Sequence, residues 1–107
     1  MPYIIATSVY PTDKVKEVVE KYFEALQKFP LDENLETEVV PVASKTTKKG
    51  VKTMSIGEVK EGKLEKALAR AGSTVALFYD IVGFECTIDV YSTAEEGFAA
   101  LGVSLPE

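Results

Sequence analysis

The segment Tyr3–Tyr10 is apolar on both sides, and this constrains the fold more than any other feature of the chain. Alternate side chains of a strand point to opposite faces. One face of this strand carries Tyr3, Ile5 and Val9, and the other carries Ile4, Ala6 and Tyr10. A strand that is apolar on both faces normally lies in the middle of a sheet and is covered on both sides. The sequence therefore predicts a sheet that is built outward from this segment.

Two long amphipathic helices and one short helix are predicted. Apolar residues spaced three and four apart indicate a first helix over 13–29 and a second over 62–82, with Gly83 as a left-handed cap. We expect the aromatic side chains of the first helix to lie in the core. Ser92 followed by Glu95 is a capping box, which predicts a short last helix.

Three further strands are predicted from β-branched and alternating residues. They cover 35–44, 51–59 and 84–91, and a lysine-rich turn over 45–50 joins the first two of them. Pro41 cannot donate a hydrogen bond to a strand ladder, so its strand is expected at an edge of the sheet.

The resulting order is β-α-β-β-α-β followed by a short helix, which is the ferredoxin-like arrangement. Right-handed crossovers place the first and third strands in the middle of the sheet and the second and fourth at its edges. We therefore expect an α+β sandwich, in which an antiparallel sheet carries two long helices on one face, plus a short C-terminal helix. Residues 1–107 contain no linker and no repeat, so we expect a single domain.

Missing residue types exclude several chemistries. The chain has no histidine and one cysteine, so it forms no His-based triad, no His-ligated zinc or haem site and no CxxC redox pair. A single cysteine suits a reducing compartment, no apolar run approaches the ~20 residues of a membrane span, and the first residues lack the basic region of a signal peptide. We therefore expect a cytoplasmic protein without a cofactor. Few amides and abundant Lys and Glu are typical of a thermophilic source.

The uncovered face of the sheet is predicted to be too apolar for water. Two helices on one face leave the other bare, yet the first strand is apolar on both faces, and Met54 and Ile56 share one face of the third. Such a face favours burial against a second copy of the chain. Leu77 and Ile81 lie off the apolar stripe of the second helix. We expect the last helix, through Phe98 and Leu101, and the VSLP tail to cover them, or else another subunit.

The order of elements and the apolar open face resemble the dimeric α+β barrel superfamily, in which two sheets pack face to face around a barrel. The resemblance covers residues 3–91 in topology. It implies a homodimer or higher homo-oligomer. The superfamily includes cofactor-free monooxygenases and isomerases, and also haem enzymes whose histidine this chain lacks. The opening IIATSVYPTDKVKEVVEKY is also similar to the first strand and helix of PII-type and divalent-cation-tolerance proteins, which are trimers that bind small ligands between subunits.

A basic block interrupts an acidic chain. Residues 45–70 carry seven lysines and Arg70 against three glutamates, whereas 71–107 carry six acids and no base. A basic hairpin is suited to binding phosphate or a nucleotide, and its lysines are Lys45, Lys48, Lys49 and Lys52. Alternatively they form a solvated tip that protects the sheet edge, or they meet the acidic third of another subunit. With one arginine and no interleaved aromatic residues, nucleic acid is not expected as a partner.

The single cysteine is interpreted as structural. Glu85 and Asp89 are close to Cys86 in sequence and disfavour a thiolate. The acids of this region have oxygen ligands suited to Mg²⁺ or Ca²⁺, but their spacing matches no known loop, so no metal site is predicted. These acids are Asp80, Glu85, Asp89, Glu95 and Glu96.

An acid–tyrosine face is the candidate for catalysis. Alternation puts Glu85, Thr87, Asp89 and Tyr91 on the face of the fourth strand opposite to Cys86. Inside a barrel, Asp89 as general base and Tyr91 as orienting donor would face a small apolar substrate, whereas outside a barrel both would face water. The missing residue types favour a non-catalytic binding or assembly module with a small-molecule ligand as a further partner. An isomerase or monooxygenase and an anion or nucleotide sensor are the alternatives.

Overall fold

The computed structural model describes residues 1–103, which form one four-stranded antiparallel sheet and three α-helices, an α+β structure. In chain order the elements are β1 (Tyr3–Tyr10), α1 (Val15–Lys28), β2 (Glu36–Thr47), β3 (Gly50–Val59), α2 (Leu64–Ala76), β4 (Glu85–Tyr91) and α3 (Ala94–Ala100). A single 3-10 turn, Thr12–Lys14, precedes α1. Within residues 1–103, no helix is both long enough and apolar enough to cross a membrane.

The strands lie in the order β2-β3-β1-β4, and each neighbouring pair is antiparallel. β1 and β3 are therefore central and β2 and β4 are edges, which is the placement that the crossover rule predicts. The register of β2 shifts between Glu38 and Val40 and again between Val40 and Ala43, on either side of Pro41. An irregular edge strand accommodates the proline, which has no N–H to donate.

The side of β1 that carries Ile4 and Tyr10 faces the two long helices. Both residues are buried; Tyr10 packs with Val18 of α1 and Ile4 with Ala67 of α2. We call this side of the sheet the helix face. The other side, which we call the open face, carries the β1 residues Tyr3, Ile5, Thr7 and Val9. Because β1 is apolar on both sides, alternation alone does not decide which side the helices cover.

The buried core is divided into two clusters on the helix face. The Tyr10 cluster consists of Tyr10, Val18, Phe78 and Ile81. The Val59 cluster consists of Ile4, Val59 and Ala67. α1 therefore packs on one end of β1, and α2 packs on the other. Each fully buried aliphatic side chain contributes about 1.5–3 kcal/mol to folding.

The second long helix is shorter than predicted. α2 ends at Ala76 and does not reach Val82. Beyond it, the N–H groups of Phe78, Ile81 and Phe84 donate to carbonyls three residues earlier, at 2.9, 3.1 and 3.2 Å. Turns of this kind place every third residue on the same side. All three side chains therefore pack in or against the Tyr10 cluster.

Ile81 is covered within the chain for this reason. It is 4% exposed and packs with Tyr10, Val18 and Phe78, while Leu77 is partly buried against the same cluster. Cover by the same chain was predicted, but the sheet and α1 supply it. Within residues 1–103, the last helix, which was expected there, contributes nothing to this cluster, and Phe98 and Leu101 are exposed. Of the tail that was also expected there, residues 104–107 lie outside the described part of the chain.

The apolar stripe of α1 is wider than the area that the sheet covers. Val18 and Ala25 are buried, but Val19 and Leu26 are exposed and Phe23 is 59% exposed. The expectation that the aromatic residues of this helix lie in the core is therefore wrong for Phe23 and for Tyr22, which is also exposed. A helix that lies on a sheet contacts it along one line, so residues on the flank of a wide stripe stay in water.

The hairpin between β2 and β3 is tighter than predicted. β2 continues to Thr47, so that only Lys48 and Lys49 form the turn. Gly50 begins β3 with a φ of 126°, and a Cβ at this position would collide with the Tyr10 carbonyl. Glycine is therefore required where the hairpin meets β1.

The capping box of α3 lies one residue later than predicted. Thr93, and not Ser92, is the N-cap, and its side chain accepts a hydrogen bond from the Glu96 N–H at 3.1 Å. The Glu96 carboxylate accepts in return from the Thr93 N–H at 2.8 Å. The motif was correctly recognised, but both Ser92–Glu95 and Thr93–Glu96 satisfy its spacing.

Candidate functional site

The open face is a grid of four rows across four strands. Cross-strand pairing places one residue of each strand in each row. In the order β2, β3, β1 and β4, the rows are Lys45, Lys52, Val9, Glu85; Ala43, Met54, Thr7, Thr87; Val40, Ile56, Ile5, Asp89; and Thr37, Glu58, Tyr3, Tyr91. Neither of the two long helices packs on this face.

Apolar side chains occupy the centre of the grid. Ile5 and Ile56 face each other across β1 and β3 and are only partly buried. Met54 and Tyr91, in the adjoining rows, are exposed. Removing such side chains from water gains about 25 cal/mol per Å² of apolar area. The single chain does not realise this gain on its open face.

Two lysines stand side by side at one corner. Lys45 and Lys52 are direct cross-strand partners on the open face, and like charges in this arrangement are destabilising. Together with Lys48 and Lys49 of the turn, they line one cavity of about 400 Å³ at this end of the hairpin. Among the described residues, no carboxylate forms a salt bridge with any of these four lysines. The structure brings the four predicted residues together, and their anion-binding role stays a prediction.

Acidic residues occupy the opposite edge of the same face. Glu85, Thr87, Asp89 and Tyr91 all lie on the open side of β4 and are exposed. The Thr87 hydroxyl shares a hydrogen bond of 3.0 Å with that of Thr7. A cavity of about 250 Å³ is lined by both Glu85 and Lys52, so one row of the grid connects the acidic edge to the lysine corner.

The pair proposed for general base catalysis lies on the open side of the edge strand β4. Asp89 lies beside Ile5, and Tyr91 lies beside Tyr3. Neither Asp89 nor Tyr91 lines any of the five cavities described in residues 1–103. The barrel interior that the sequence predicts for this pair would need a second chain over the open face, and the catalytic role of the pair stays a prediction.

Cys86 lies on the opposite side of the sheet from the acids next to it in sequence. Its direct partner on β1 is Ser8, on the helix face. Burial raises the pKa of the Cys86 thiol. A thiol of raised pKa is a poor nucleophile at neutral pH, which agrees with the structural interpretation of this residue.

One polar network was not recognised from the sequence. Arg70 donates to a carboxylate oxygen of Glu36 at 3.0 Å, to the Phe29 carbonyl at 2.9 Å and to the Pro30 carbonyl at 3.0 Å. It joins the end of α1 to the start of β2. A Cβ on Gly57 would collide with the other oxygen of the buried Glu36 carboxylate. The sequence signal was a lone arginine in the basic block, which gave no indication of its partner.

The acids considered as metal ligands are dispersed. Asp80 lies 3.9 Å from the Lys21 ammonium, and Glu96 lies 3.0 Å from the chain's amino terminus. Within residues 1–103, no three His, Cys, Asp or Glu side chains converge as a metal site would require.

Comparison of the chain with protein-family models, with curated proteins and with solved structures finds no match.

Proposed function

We propose that this chain is a homo-oligomeric binding and assembly module that closes its open face on a second copy of itself. The observation that carries the proposal is the layout of that face. An apolar centre lies between a lysine corner, Lys45 and Lys52, and an acidic edge, Glu85 and Asp89. A face of this kind attracts its own copy, because its two charged ends complement each other.

Two-fold symmetry pairs the charges in either of two ways. An axis parallel to the strands exchanges the edges and keeps the rows, so that Lys45 meets the second copy's Glu85. An axis across the strands places each strand against the same strand of the second copy and reverses the order of the rows. Lys52 then meets the second copy's Glu58. In both arrangements the Met54 and Ile56 rows remain in the centre and exclude water.

The area of the face agrees with the proposal. Strands lie about 4.8 Å apart and same-face residues about 6.7 Å apart, so the grid covers roughly 500 Å² in projection. Two copies would bury on the order of 1,000 Å², which reaches the lower limit of specific interfaces. The strand order supports a ferredoxin-like arrangement, and in the dimeric α+β barrels that the chain resembles, two such sheets pack in this way. We place the module in the cytoplasm because of its single cysteine.

The mass of the chain in solution tests the proposal. Light scattering at micromolar concentration is expected to give at least twice the 11.7 kDa of one chain. Ile5→Asp places a charge in the apolar centre and is expected to give a monomer, because a buried unpaired charge is costly. Val82→Asp is the matched control, since Val82 is 75% exposed and belongs to neither β1 nor any other strand of the open face.

Charge reversal identifies the arrangement. Lys45→Glu is expected to weaken association, and Glu85→Lys is expected to restore it if the axis runs parallel to the strands. For the other axis, Lys52→Glu and Glu58→Lys are the pair that restores association. A wild-type chain that stays monomeric at 100 µM, roughly the concentration at which weak dimers form, refutes the proposed function.

A further inference from the structure

Small side chains separate the two core clusters on the helix face. Between Ile4 and Tyr10, β1 presents Ala6 and Ser8 to the helices. Ser8 lies opposite Thr53 of β3 on one side and opposite Cys86 of β4 on the other. Interiors between a sheet and its helices are normally filled to high density by larger apolar side chains. Here the sheet presents only small side chains to the helices, and we call these residues, Ser8, Thr53 and Cys86, the floor.

The space above this floor is a cavity of about 140 Å³. Its walls include Val18, Val75 and Phe78, and its floor includes Ser8, Thr53 and Cys86. A protein cavity of ~150 Å³ holds one benzene molecule. The cavity therefore has room for one six-membered ring against apolar walls.

The floor has hydrogen-bonding capacity to spare. The hydroxyls of Ser8 and Thr53 bond to each other, and such a bond uses only one of the two hydroxyl hydrogens. The second O–H is left to donate, and lone pairs remain to accept. Ser8 is 9% exposed, and both residues line the cavity. Their unused capacity is therefore available to a compound that occupies the cavity.

The cavity is also neutral. Among the described residues, no charged side chain lines it. Burial keeps the pKa of the Cys86 thiol raised, so this group is uncharged as well. An ion would lose its hydration here without gaining a partner of opposite charge.

We propose that this cavity binds a small neutral ring compound that carries one hydroxyl or carbonyl group, of about the size of phenol. The apolar walls take the ring, and the Ser8–Thr53 pair takes the polar group. The site lies on the helix face, on the opposite side of the sheet from the proposed self-association. Thr7 and Met54 of the open-face grid also line this cavity, but the argument for the ligand rests on Ser8 and Thr53, which lie outside the grid. The two proposals therefore fail separately.

Titration of phenol into the ¹⁵N-labelled chain tests the site. The amide signals of Ser8, Thr53 and Phe78 are expected to shift and to saturate in the millimolar range, which is the affinity of a compound with few atoms. Benzoate has the same ring with a charge and is expected to leave these signals unchanged. Absence of saturation up to about 20 mM phenol, or equal shifts with benzoate, overturns the proposal.

A double variant tests the polar recognition. Ser8→Ala with Thr53→Val removes both hydroxyls, and replacing both partners of a hydrogen bond by apolar groups is nearly neutral for folding. Phenol is expected to bind the variant about tenfold more weakly, and benzene to bind it as well as the wild type. Equal phenol affinity in the two proteins overturns the assignment of the pair. Val18→Phe, which fills the space from α1, is expected to abolish binding; if it does not fold, the double variant decides.

Discussion

At Glu36, burial and charge pairing act on the carboxyl group in opposite directions. The residue is 7% exposed, and its partner Arg70 is only partly buried. Burial raises the pKa of the Glu36 carboxyl, and the charge and hydrogen bond of Arg70 offset this only in part. A buried pair of this kind contributes less to stability than its geometry suggests, although breaking it by removing one partner is costly.

The raised pKa of the Glu36 carboxyl should be visible in the pH dependence of the free energy of unfolding. Because the pKa of Glu36 in the native chain is raised above its ordinary value of 4.5, the native state holds the proton at pH values where the unfolded chain has lost it. Its contribution to the free energy of unfolding is therefore present below pH 4.5 and is lost as the pH rises through the raised value. Urea unfolding of wild type and Glu36→Gln at pH 4 and pH 7 measures the effect.

The expected result is a stability difference, wild type minus Glu36→Gln, that is larger at pH 4 than at pH 7. Glu96→Gln is the opposite control, because hydrogen bonds with Thr93 and the amino terminus lower the pKa of the Glu96 carboxyl. The contribution of the Glu96 carboxylate to the free energy of unfolding should be lost as the pH falls below the ordinary pKa of this group, 4.5. A stability difference between wild type and Glu36→Gln that grows with pH would contradict the burial argument.

An ion pair of this kind could not be predicted from the sequence. Arg70 and Glu36 are 34 residues apart, and no local pattern links them. The alternation of β4, in contrast, is local, and it correctly put Cys86 on the other side from Glu85 and Asp89. Local periodicity therefore predicts which face a side chain occupies, but not which distant residue it meets there.

The segment after α2 shows the same distinction for whole elements. A wheel drawn at 100° per residue puts Ile81 off the apolar stripe, because it assumes that the helix continues. The chain instead makes i→i+3 turns up to Phe84, and the period becomes three. Ring stacking of Phe78 on Phe84, with centroids 5.0 Å apart, accompanies this change. The bounds of β1, Tyr3–Tyr10, were predicted as observed, since Pro2 and Pro11 flank this strand.

Replacement by alanine should have opposite effects at two glycines, Gly83 in the turn before β4 and Gly72 within α2. Gly83 has a φ of 84°, and a Cβ there would lie 2.7 Å from a side-chain carbon of Pro11. Gly83→Ala is expected to destabilise the chain by about 1–2 kcal/mol. Gly72 lies within α2 with open space around it, so Gly72→Ala is expected to stabilise by about 0.5–1 kcal/mol.

Thermal and urea unfolding of the two variants beside the wild type measures these changes. Gly97 in α3 also has open space around it, so Gly97→Ala serves as a second helical control. A Gly83→Ala chain that is as stable as the wild type would mean that the turn after α2 relaxes without strain.

For the molecule as a whole, the sequence predicted that the sheet has an apolar uncovered side, but it did not show how that side is laid out. Rows appear only once the register is known. Lys45 and Lys52 become partners across the β2–β3 hairpin, and Ile5 and Asp89 become partners through two strands that are far apart in sequence. The cavity on the helix face was missed for the same reason. Ser8, Thr53 and Cys86 are inconspicuous singly, and only the sheet places them side by side.

Self-association should make thermal stability depend on protein concentration. If two copies associate as proposed, assembly stabilises the native state, so raising the chain concentration from about 5 to 500 µM is expected to raise the unfolding temperature by several degrees. Ile5→Asp is expected to remove the dependence, and Val82→Asp to keep it. An unfolding temperature of the wild type that stays constant over this range would indicate that the native chain unfolds as a monomer.

The central position of β1 also has a consequence for the order in which the native structure forms. β1 is the first strand of the chain, yet its residues pair far along it: Ser8 bonds to Thr53, 45 residues away, and Thr7 to Thr87, 80 residues away. The β2–β3 hairpin is the local pairing in this sheet, and local contacts form fastest. Folding is therefore expected to begin at the hairpin, and β1 is expected to pair with β3 and β4 only afterwards. During synthesis, the most apolar strand of the sheet is thus the first to be made and among the last to be sheltered.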